Sequence, residues 1–451
     1  MENNNKMSLT LKVVIGMGLG IVVGLFFNLS GLNADGSFVN TYIVDGIFHV
    51  MGKMFINGLK MLVVPLVFFS LICGVCGIGN LNTLGRVGTK SFALYMLTTA
   101  IAITVAMTIA LTAGIGEGMN LAGTASFTAK AAPPLTDVFI NIIPSNPVKA
   151  MANGDMLPLI FFSILVGISM LMVGKKAKGL IEGAEVANEI MMKMVNIIMA
   201  AAPYAVFVLI AKSMANLGTE LLGQLVGYVL VLVGALFLHL FVTLMLVLKF
   251  FSGLSPIMFL KKIRSAQVFA FSTASSNATI PVTLRTVTER MGVNNSVASF
   301  TVPFGATINM DGTAIMQGVA TVFIANIYSA GLGTGEYITV ILMSVLASIG
   351  TAGVPGVGLI MLSMVFAQVG LPIEGIGLIL GVDRLMDMIR TAVNVSGDAV
   401  VSTIVAKSEG KFDLATYNDA DAGIVTSDDL HVDQLVEQEL AEAIQNTHNQ
   451  S

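Results

Sequence analysis

Apolar stretches such as Val13 to Phe27 and Gly227 to Leu248 approach or exceed the roughly 20 residues that an α-helix needs to cross a bilayer. A soluble core calls for nothing so long. Of the whole chain 55% is hydrophobic and only 11% charged, far from the roughly 25% charge of soluble domains. The fold class expected is therefore an all-α integral membrane protein. The opening residues, MENNNK, lead straight into the first apolar stretch, with no short apolar region and small-residue cleavage site of a removable signal. That stretch is expected to stay as an anchor.

The net charge of −4 hides an asymmetry, because Lys411 to Ser451 carries nine Asp/Glu and one Lys, leaving 22 Lys/Arg against 18 Asp/Glu in the rest. The membrane body is basic and the tail acidic. Basic residues gather at Arg86 and Lys90, at Lys175, Lys176 and Lys178, at Lys261, Lys262 and Arg264, and at Arg285 and Arg290. They are missing from Asn28 to Phe48 and from Ser329 to Ile338. The positive-inside rule puts the first group in the cytoplasm, together with both termini. The only cysteines, Cys73 and Cys76, have C-x-x-C spacing but lie in an apolar run with no histidine nearby, so they read as small buried hydrophobes.

Apolar runs read against loop charges predict helices near 11 to 28, 48 to 78, 88 to 115, 155 to 174, 190 to 212 and 222 to 251. From Pro256 to Lys407 the apolar runs are broken by polar, glycine-rich clusters. Two of these, Ala274-Ser-Ser-Asn-Ala-Thr-Ile-Pro281 and Ala347-Ser-Ile-Gly-Thr-Ala-Gly-Val-Pro355, read as tips of re-entrant hairpins. Non-helical backbone at membrane depth is tolerated only where protein or a water-filled cavity satisfies it, so such breaks mark a binding cavity. Their recurrence fits the inverted repeats of secondary transporters. Beyond Lys411 the chain reads as a mobile cytoplasmic tail with a short helix near Asp433 to Ile444.

Within Gly381 to Ala399, at about 100° per residue, Asp383, Asp387, Arg390, Thr391, Asn394 and Asp398 fall within an arc of roughly 100°. A charge at the centre of a membrane helix costs roughly 2.5 to 3.5 kcal/mol on insertion scales and usually marks a substrate or ion path. Asp383, nearest the helix start, reads as structural. In Gly305 to Thr313 an apolar helix breaks where Asn309, Asp311 and Gly312 meet; carbonyls freed there, with carboxylate, amide and hydroxyl oxygens, suit a hard cation such as sodium. Tyr95, Thr98 and Thr99 add hydroxyls on one helix face at i, i+3 and i+4.

Through Ser275 to Pro281, Asn309 to Thr313, Gly350 to Pro355 and Asp387 to Asp398, the sequence resembles the dicarboxylate/amino acid:cation symporter family, over nearly all of the chain up to Lys407. The resemblance implies eight spanning helices, two re-entrant hairpins and inverted repeats within residues 1–410, the tail being 411–451. It implies a scaffold near 11–78 and 155–212, a transport domain near 88–115 and 222–407 that moves elevator-fashion, and a homotrimer in the cytoplasmic (inner) membrane. Arg390 would clamp the substrate's side-chain carboxylate, in keeping with the bidentate match of guanidinium and carboxylate, and Asp387 would pair with its amino group. Asn394, Thr391 and Thr313 would complete the polar shell, with backbone groups at Ser275, Ser276 and Val354 holding the main-chain carboxylate.

The resemblance carries three sodium sets: Gly305, Asn309, Asn394 and Asp398; Thr307, Ser348, Ile349 and Thr351; and Tyr95, Thr98, Thr99, Asn309 and Asp311. The partners implied are an acidic amino acid or dicarboxylate, co-transported sodium with protons as the alternative co-ion, and the bilayer; no cofactor and no nucleic acid are implied. Many relatives place an extra arginine at the position of Ala274 or of Met388, and this chain has neither; Asn277 stands where serine is frequent. The sequence lacks a G-x-x-x-x-G-K-[ST] loop, H-E-x-x-H and a nucleophile elbow, so an enzyme finds no support. A channel would pass current without stoichiometric substrate. Arg390 argues against a neutral substrate. The runner-up, a C4-dicarboxylate, would leave Asp387 without a cationic partner, and a buried unpaired carboxylate is costly.

Overall fold

The computed structural model describes residues 9–76, 84–118, 140, 142–349, 351 and 353–423. Among them the regular structure is helical, with one isolated antiparallel bridge between Val293 and Phe412. Helix α1 spans Leu9–Leu29, and α2, His49–Cys76, continues a π-helical stretch over Val39–Phe48. Then come α3 (Thr89–Thr112), the short α4 (Pro147–Asn153), α5 (Met156–Val173), α6 (Lys178–Ala200) and α7 (Ala202–Leu217). Helix α8 (Thr219–Leu238) passes through a π-helical turn, His239–Thr243, into α9 (Leu244–Ser252). Five helical stretches among the described residues are long and apolar enough to cross a membrane: Leu11–Leu29, Val39–Cys76, Arg86–Thr112, Pro158–Ala200 and Thr219–Ser252.

Two predicted spans are corrected. The span near 190 to 212 is two helices, α6 and α7, parted at Ala201. Pro203, the second residue of α7, has no N–H to donate to Met199, and its ring crowds that carbonyl. The span near 48 to 78 starts nine residues early, at Val39, because Asn40, Thr41 and Asp45 disguise a helix whose buried residues are Val44 and Phe48.

Helices α1 and α7 approach backbone to backbone through Gly16, Gly20 and Gly24, spaced by four residues. A Cβ on these would fall 2.4 Å from the Pro203 carbonyl oxygen, 2.8 Å from that of Phe207 and 2.5 Å from that of Ala211. Small residues at this spacing are how helices associate where water supplies no hydrophobic drive. Gly20→Val is expected to cost about 1–3 kcal/mol by overpacking and to lower the melting temperature of detergent-solubilised protein. Gly18→Val, whose Cβ would meet nothing, leaves it unchanged.

The second half holds two helical hairpins. Helix α10 (Pro256–Thr273) is capped by Ser255 and turns at Ala274 and Ser275 into α11 (Ser276–Arg285). Ala274 is left-handed at φ 49°, a conformation costly for a residue with a Cβ, and the Ser275 hydroxyl accepts the Ala278 N–H at 3.2 Å. The break is therefore two residues, shorter than the predicted Ala274 to Pro281; Pro281 lies inside α11. After α12 (Asn295–Ile308) and α13 (Asp311–Ile327) comes the second hairpin, α14 (Thr334–Ser348) and α15 (Val357–Gln368). Of its predicted tip, Gly350 and Ala352 lie outside the described residues. Helix α16 (Ile376–Ser408), 33 residues long, packs against α10, α12 and α13.

The tail begins later than predicted, because residues 411–423 are docked. The N–H of Asn294 donates to the Lys411 carbonyl at 3.1 Å and that of Asp413 to the Gly292 carbonyl at 2.8 Å. In α17 (Leu414–Asn418), Tyr417 is fully buried and donates to the Ser255 carbonyl at 2.9 Å, while the buried Lys262 ammonium donates to the carbonyls of Arg290 and Thr416. The predicted helix near Asp433 to Ile444 lies outside the described residues.

At the end of α16, Arg86 and Lys90 each reach Glu409 at 2.6 Å and hold its carboxyl down at about 2. Because this folded value lies below the ordinary Glu value of about 4.3, the pairing stabilises fully above that pH and is lost as the pH falls towards about 2. Glu409→Gln is therefore expected to lower the melting temperature by a constant amount between about pH 5 and 8, the gap to wild type closing in acid.

Candidate substrate and ion site

Between α12 and α13 the helix is interrupted: Asn309 and Met310 have extended or irregular backbone, and Asp311 opens the new helix. The freed groups are taken up by α16. The Asn394 side-chain oxygen accepts the Gly312 N–H at 2.7 Å and its amide lies 3.3 Å from the Met310 sulfur. The Asn309 amide donates to the Asn394 carbonyl at 3.2 Å and to Asp398 Oδ1 at 2.8 Å, leaving Asn309 Oδ1 buried with no hydrogen-bond partner.

Glycines let these elements close. A Cβ on Gly312 would fall 2.7 Å from the Arg390 carbonyl oxygen; one on Gly305 would fall 2.5 Å from Asp398 Oδ1 and 2.6 Å from the Tyr95 hydroxyl. Thus Gly305, Asn309, Asn394 and Asp398 do come together. Asp311, fully buried, accepts the Thr99 hydroxyl at 2.6 Å and that of Thr98 at 3.3 Å on Oδ1. Tyr95 donates to the Thr301 carbonyl at 2.9 Å, and its hydroxyl lies beside Gly305.

Of the second set, Thr307 and Ile349 meet beside α2, where a Cβ on Gly74 would lie 3.5 Å from both the Ile349 carbonyl oxygen and the Thr307 methyl. The hydroxyls of Thr307, Ser348 and Thr351 donate to carbonyls of their own segments, those of Pro303, Val345 and Ala347. The hairpin tips touch: the Ser275 hydroxyl at 2.7 Å and the Asn277 N–H at 3.1 Å both donate to the Gly353 carbonyl. A Cβ on Gly353 would fall 2.8 Å from Asn277 Oδ1, 2.9 Å from the Ala306 carbonyl oxygen and 3.0 Å from the Ser276 Cβ, and Val354 follows, half-buried.

Arg390, 1% exposed, lies between two acids. Its Nη2 donates to Asp387 Oδ1 at 2.9 Å; its Nη1 stands 2.9 Å from Asp383 Oδ1 but off the hydrogen-bonding line. Asp383, read from sequence as structural, thus shares the arginine. Asp387 Oδ2 accepts the Gly356 N–H at 3.3 Å, which ties the second hairpin to α16. The Thr391 hydroxyl donates to the Asp387 carbonyl at 2.7 Å, and a Cβ on Gly358 would lie between Arg390 Nη2 and the Thr313 methyl.

Two residues escaped the sequence reading, and a third was set aside as structural. His239, 1% exposed at the π-helical turn, has Nε2 3.1 Å from Asp311 Oδ2; a lone histidine inside an apolar run was its only signal. Asp383 was discounted. Arg384 Nη1 lies 3.8 Å from Asp387 Oδ2. Asp387 therefore has two cations of its own chain, which corrects the expectation that only a substrate amine could balance it.

Known proteins resemble this sequence over most of its length. The family model described as "Sodium:dicarboxylate symporter family" matches residues 9–408. The chain is 33% identical over 416 residues to the "Proton/sodium-glutamate symport protein" of Geobacillus stearothermophilus, covering 90% of this chain and 96% of the relative. It is 33% identical over 422 residues to the "Proton/glutamate-aspartate symporter" of Escherichia coli (strain K12), covering 91% and 95%. It is 31% identical over 425 residues to the "C4-dicarboxylate transport protein" of Bacillus subtilis (strain 168), covering 92% and 97%.

Proposed function

Given that the chain belongs to the sodium:dicarboxylate symporter family, and is thus a multi-pass membrane transporter and not an enzyme, we propose that it imports aspartate or glutamate together with sodium ions. The observation that carries this reading is Arg390, buried and held between Asp383 and Asp387 beside Gly358 at the start of α15. A guanidinium offers a carboxylate two parallel donors and stays charged. A substrate's side-chain carboxylate takes Arg390 in exchange for one of its acids, and the substrate's ammonium goes to Asp387. Thr313, Thr391 and Asn394 complete the substrate's polar shell in this reading, and backbone groups at Ser275, Ser276 and Val354 bind the main-chain carboxylate.

Sodium is cargo, and the oxygens gathered at the α12/α13 break suit it. Asn309 Oδ1, buried without a donor, is an acceptor whose complement is a hard cation. The cation sets are Gly305, Asn309, Asn394 and Asp398; Thr307, Ser348, Ile349 and Thr351; and Tyr95, Thr98, Thr99, Asn309 and Asp311. Thr99→Ala removes a hydroxyl that donates to a buried carboxylate, a bond of about 1.5–3 kcal/mol. It is expected to raise the sodium concentration for half-maximal uptake roughly tenfold or more, with proton dependence unaltered.

The architecture goes with the function. Eight spans and two re-entrant hairpins, arranged as inverted repeats, form a scaffold (near 11–78 and 155–212) and a transport domain (near 88–115 and 222–407) that moves elevator-fashion in a homotrimer. The protein sits in the inner membrane with both termini cytoplasmic, as the basic loops favour. A second reading, a C4-dicarboxylate, is favoured by the name of one relative and by the cations that already face Asp387.

The test is uptake of radiolabelled aspartate by purified protein in proteoliposomes, under a sodium gradient and then under a proton gradient. Sodium-driven accumulation competed by glutamate supports the reading. Accumulation driven by protons alone moves the acids from sodium to proton binding, and no aspartate uptake with either ion moves a C4-dicarboxylate to the front.

A further inference from the structure

The charged stripe of α16 has one more member. At about 100° per residue, Arg390 lies about 60° to one side of Asp387 and Arg384 about 60° to the other. The contacts follow that placement: Arg390 Nη2 lies 2.9 Å from Asp387 Oδ1, and Arg384 Nη1 3.8 Å from Oδ2. The Arg384 side chain is 18% exposed, in a small cleft shared with Asp383 and Asp387 and walled by Val13 of α1 and by Ala202 and Val206 of α7. Two acids and two guanidiniums thus make a group of zero net charge.

We propose that Arg384 sets substrate specificity, serving as the counter-charge of Asp387 when a substrate carboxylate engages Arg390, so that the site accepts amine-free C4-dicarboxylates as well as acidic amino acids. This rests on Arg390 being the carboxylate clamp. An amino acid brings its own ammonium to Asp387, and Arg384 then adds little. A dianion brings none; without Arg384 it would leave a buried carboxylate uncompensated beside two negative charges, whose desolvation cost nothing repays. Arg384 reaches Asp387 from the side opposite Arg390, so its pairing with Oδ2 survives the departure of Arg390. The N–H of Gly356 on the same oxygen couples this compensation to the second hairpin. If Arg384 merely packed α16 against α1 and α7, its loss would weaken both substrate classes alike.

The experiment measures KM for radiolabelled aspartate and succinate in proteoliposomes, for wild type, Arg384→Gln and Arg384→Lys. Wild type is expected to take up both. Arg384→Gln is expected to raise the succinate KM roughly tenfold or more relative to that of aspartate, with retained aspartate uptake reporting a folded protein. Arg384→Lys restores most of the difference, because a charge and not a shape is needed. Three results overturn the proposal: succinate untouched by the wild type, the two KM values moving together, or lysine failing to restore. Should the wild type take succinate and not aspartate, the amino-acid reading of the function fails. The counter-charge role of Arg384 then stands if Arg384→Gln abolishes succinate uptake and Arg384→Lys restores it, and falls otherwise. Uptake of neither substrate overturns both.

Discussion

Replacing Arg390 with alanine is expected to abolish uptake of acidic substrates, lowering it by at least two orders of magnitude, while the proposed sodium sets around Asp311 and Asp398 stay assembled. Breaking a buried ion pair by removing one partner costs about 3–5 kcal/mol, and here the remaining partners are two carboxylates. Asp383 and Asp387, each 2.9 Å from the guanidinium, would be left with Arg384, 3.8 Å from Asp387, as a cation beside them. Arg390→Lys retains a point charge but not the fork that spans both acids, so partial uptake with a raised KM is expected. Arg390→Cys is expected to lose acidic substrates and admit neutral ones, whose ammonium still finds Asp387. Radiolabelled aspartate and serine uptake in proteoliposomes checks all three, and unchanged aspartate uptake in Arg390→Cys would remove the carboxylate-clamp assignment.

The second large effect is expected at Gly305. Alanine there adds only a methyl group, but its Cβ would fall 2.5 Å from Asp398 Oδ1 and 2.6 Å from the Tyr95 hydroxyl, well inside van der Waals contact. Neither neighbour has room to retreat: Asp398 is held by Asn309 at 2.8 Å and Tyr95 by the Thr301 carbonyl at 2.9 Å. Overpacking of this kind costs about 1–3 kcal/mol, and the atoms displaced are those proposed to bind sodium. Sodium activation of aspartate uptake is therefore expected to shift upward roughly ten- to hundredfold in Gly305→Ala. Gly234→Ala, on α8 with nothing near its Cβ, serves as the matched control and leaves activation unchanged. An unaltered sodium dependence in Gly305→Ala would place the ion elsewhere.

Much of the site was legible because its signals are local. A polar stripe within one helix is a matter of angle per residue, and α16 places Asp383, Asp387, Arg390, Asn394 and Asp398 on one buried face. A helix that loses its pattern at Asn-Met-Asp-Gly announces its own break, and the structure interrupts α12 and α13 at Asn309 and Met310. The first turn was placed by the polar cluster that follows Thr273, although it proved tighter than its sequence suggested. What failed locally failed for a local reason. The polar residues of Val39–Phe48 and the charges of α6 disguised helices that bury only one face, and Pro203 started a new helix that its apolar surroundings concealed.

By itself, then, the sequence determined the solvent, the helices and the chemistry of one helix face, since each depends on residues a few positions apart. Only the tertiary structure decided which face meets which. It brought His239 to Asp311 across 72 residues, Gly16 to Pro203 across nearly two hundred, and docked residues 411–423 against the first hairpin. Such contacts are set by backbone packing over long loops, where a glycine permits close approach and a missing Cβ leaves room for a partner far away in the chain. Periodicity reports the direction in which a side chain leaves its helix and carries no information on what waits there.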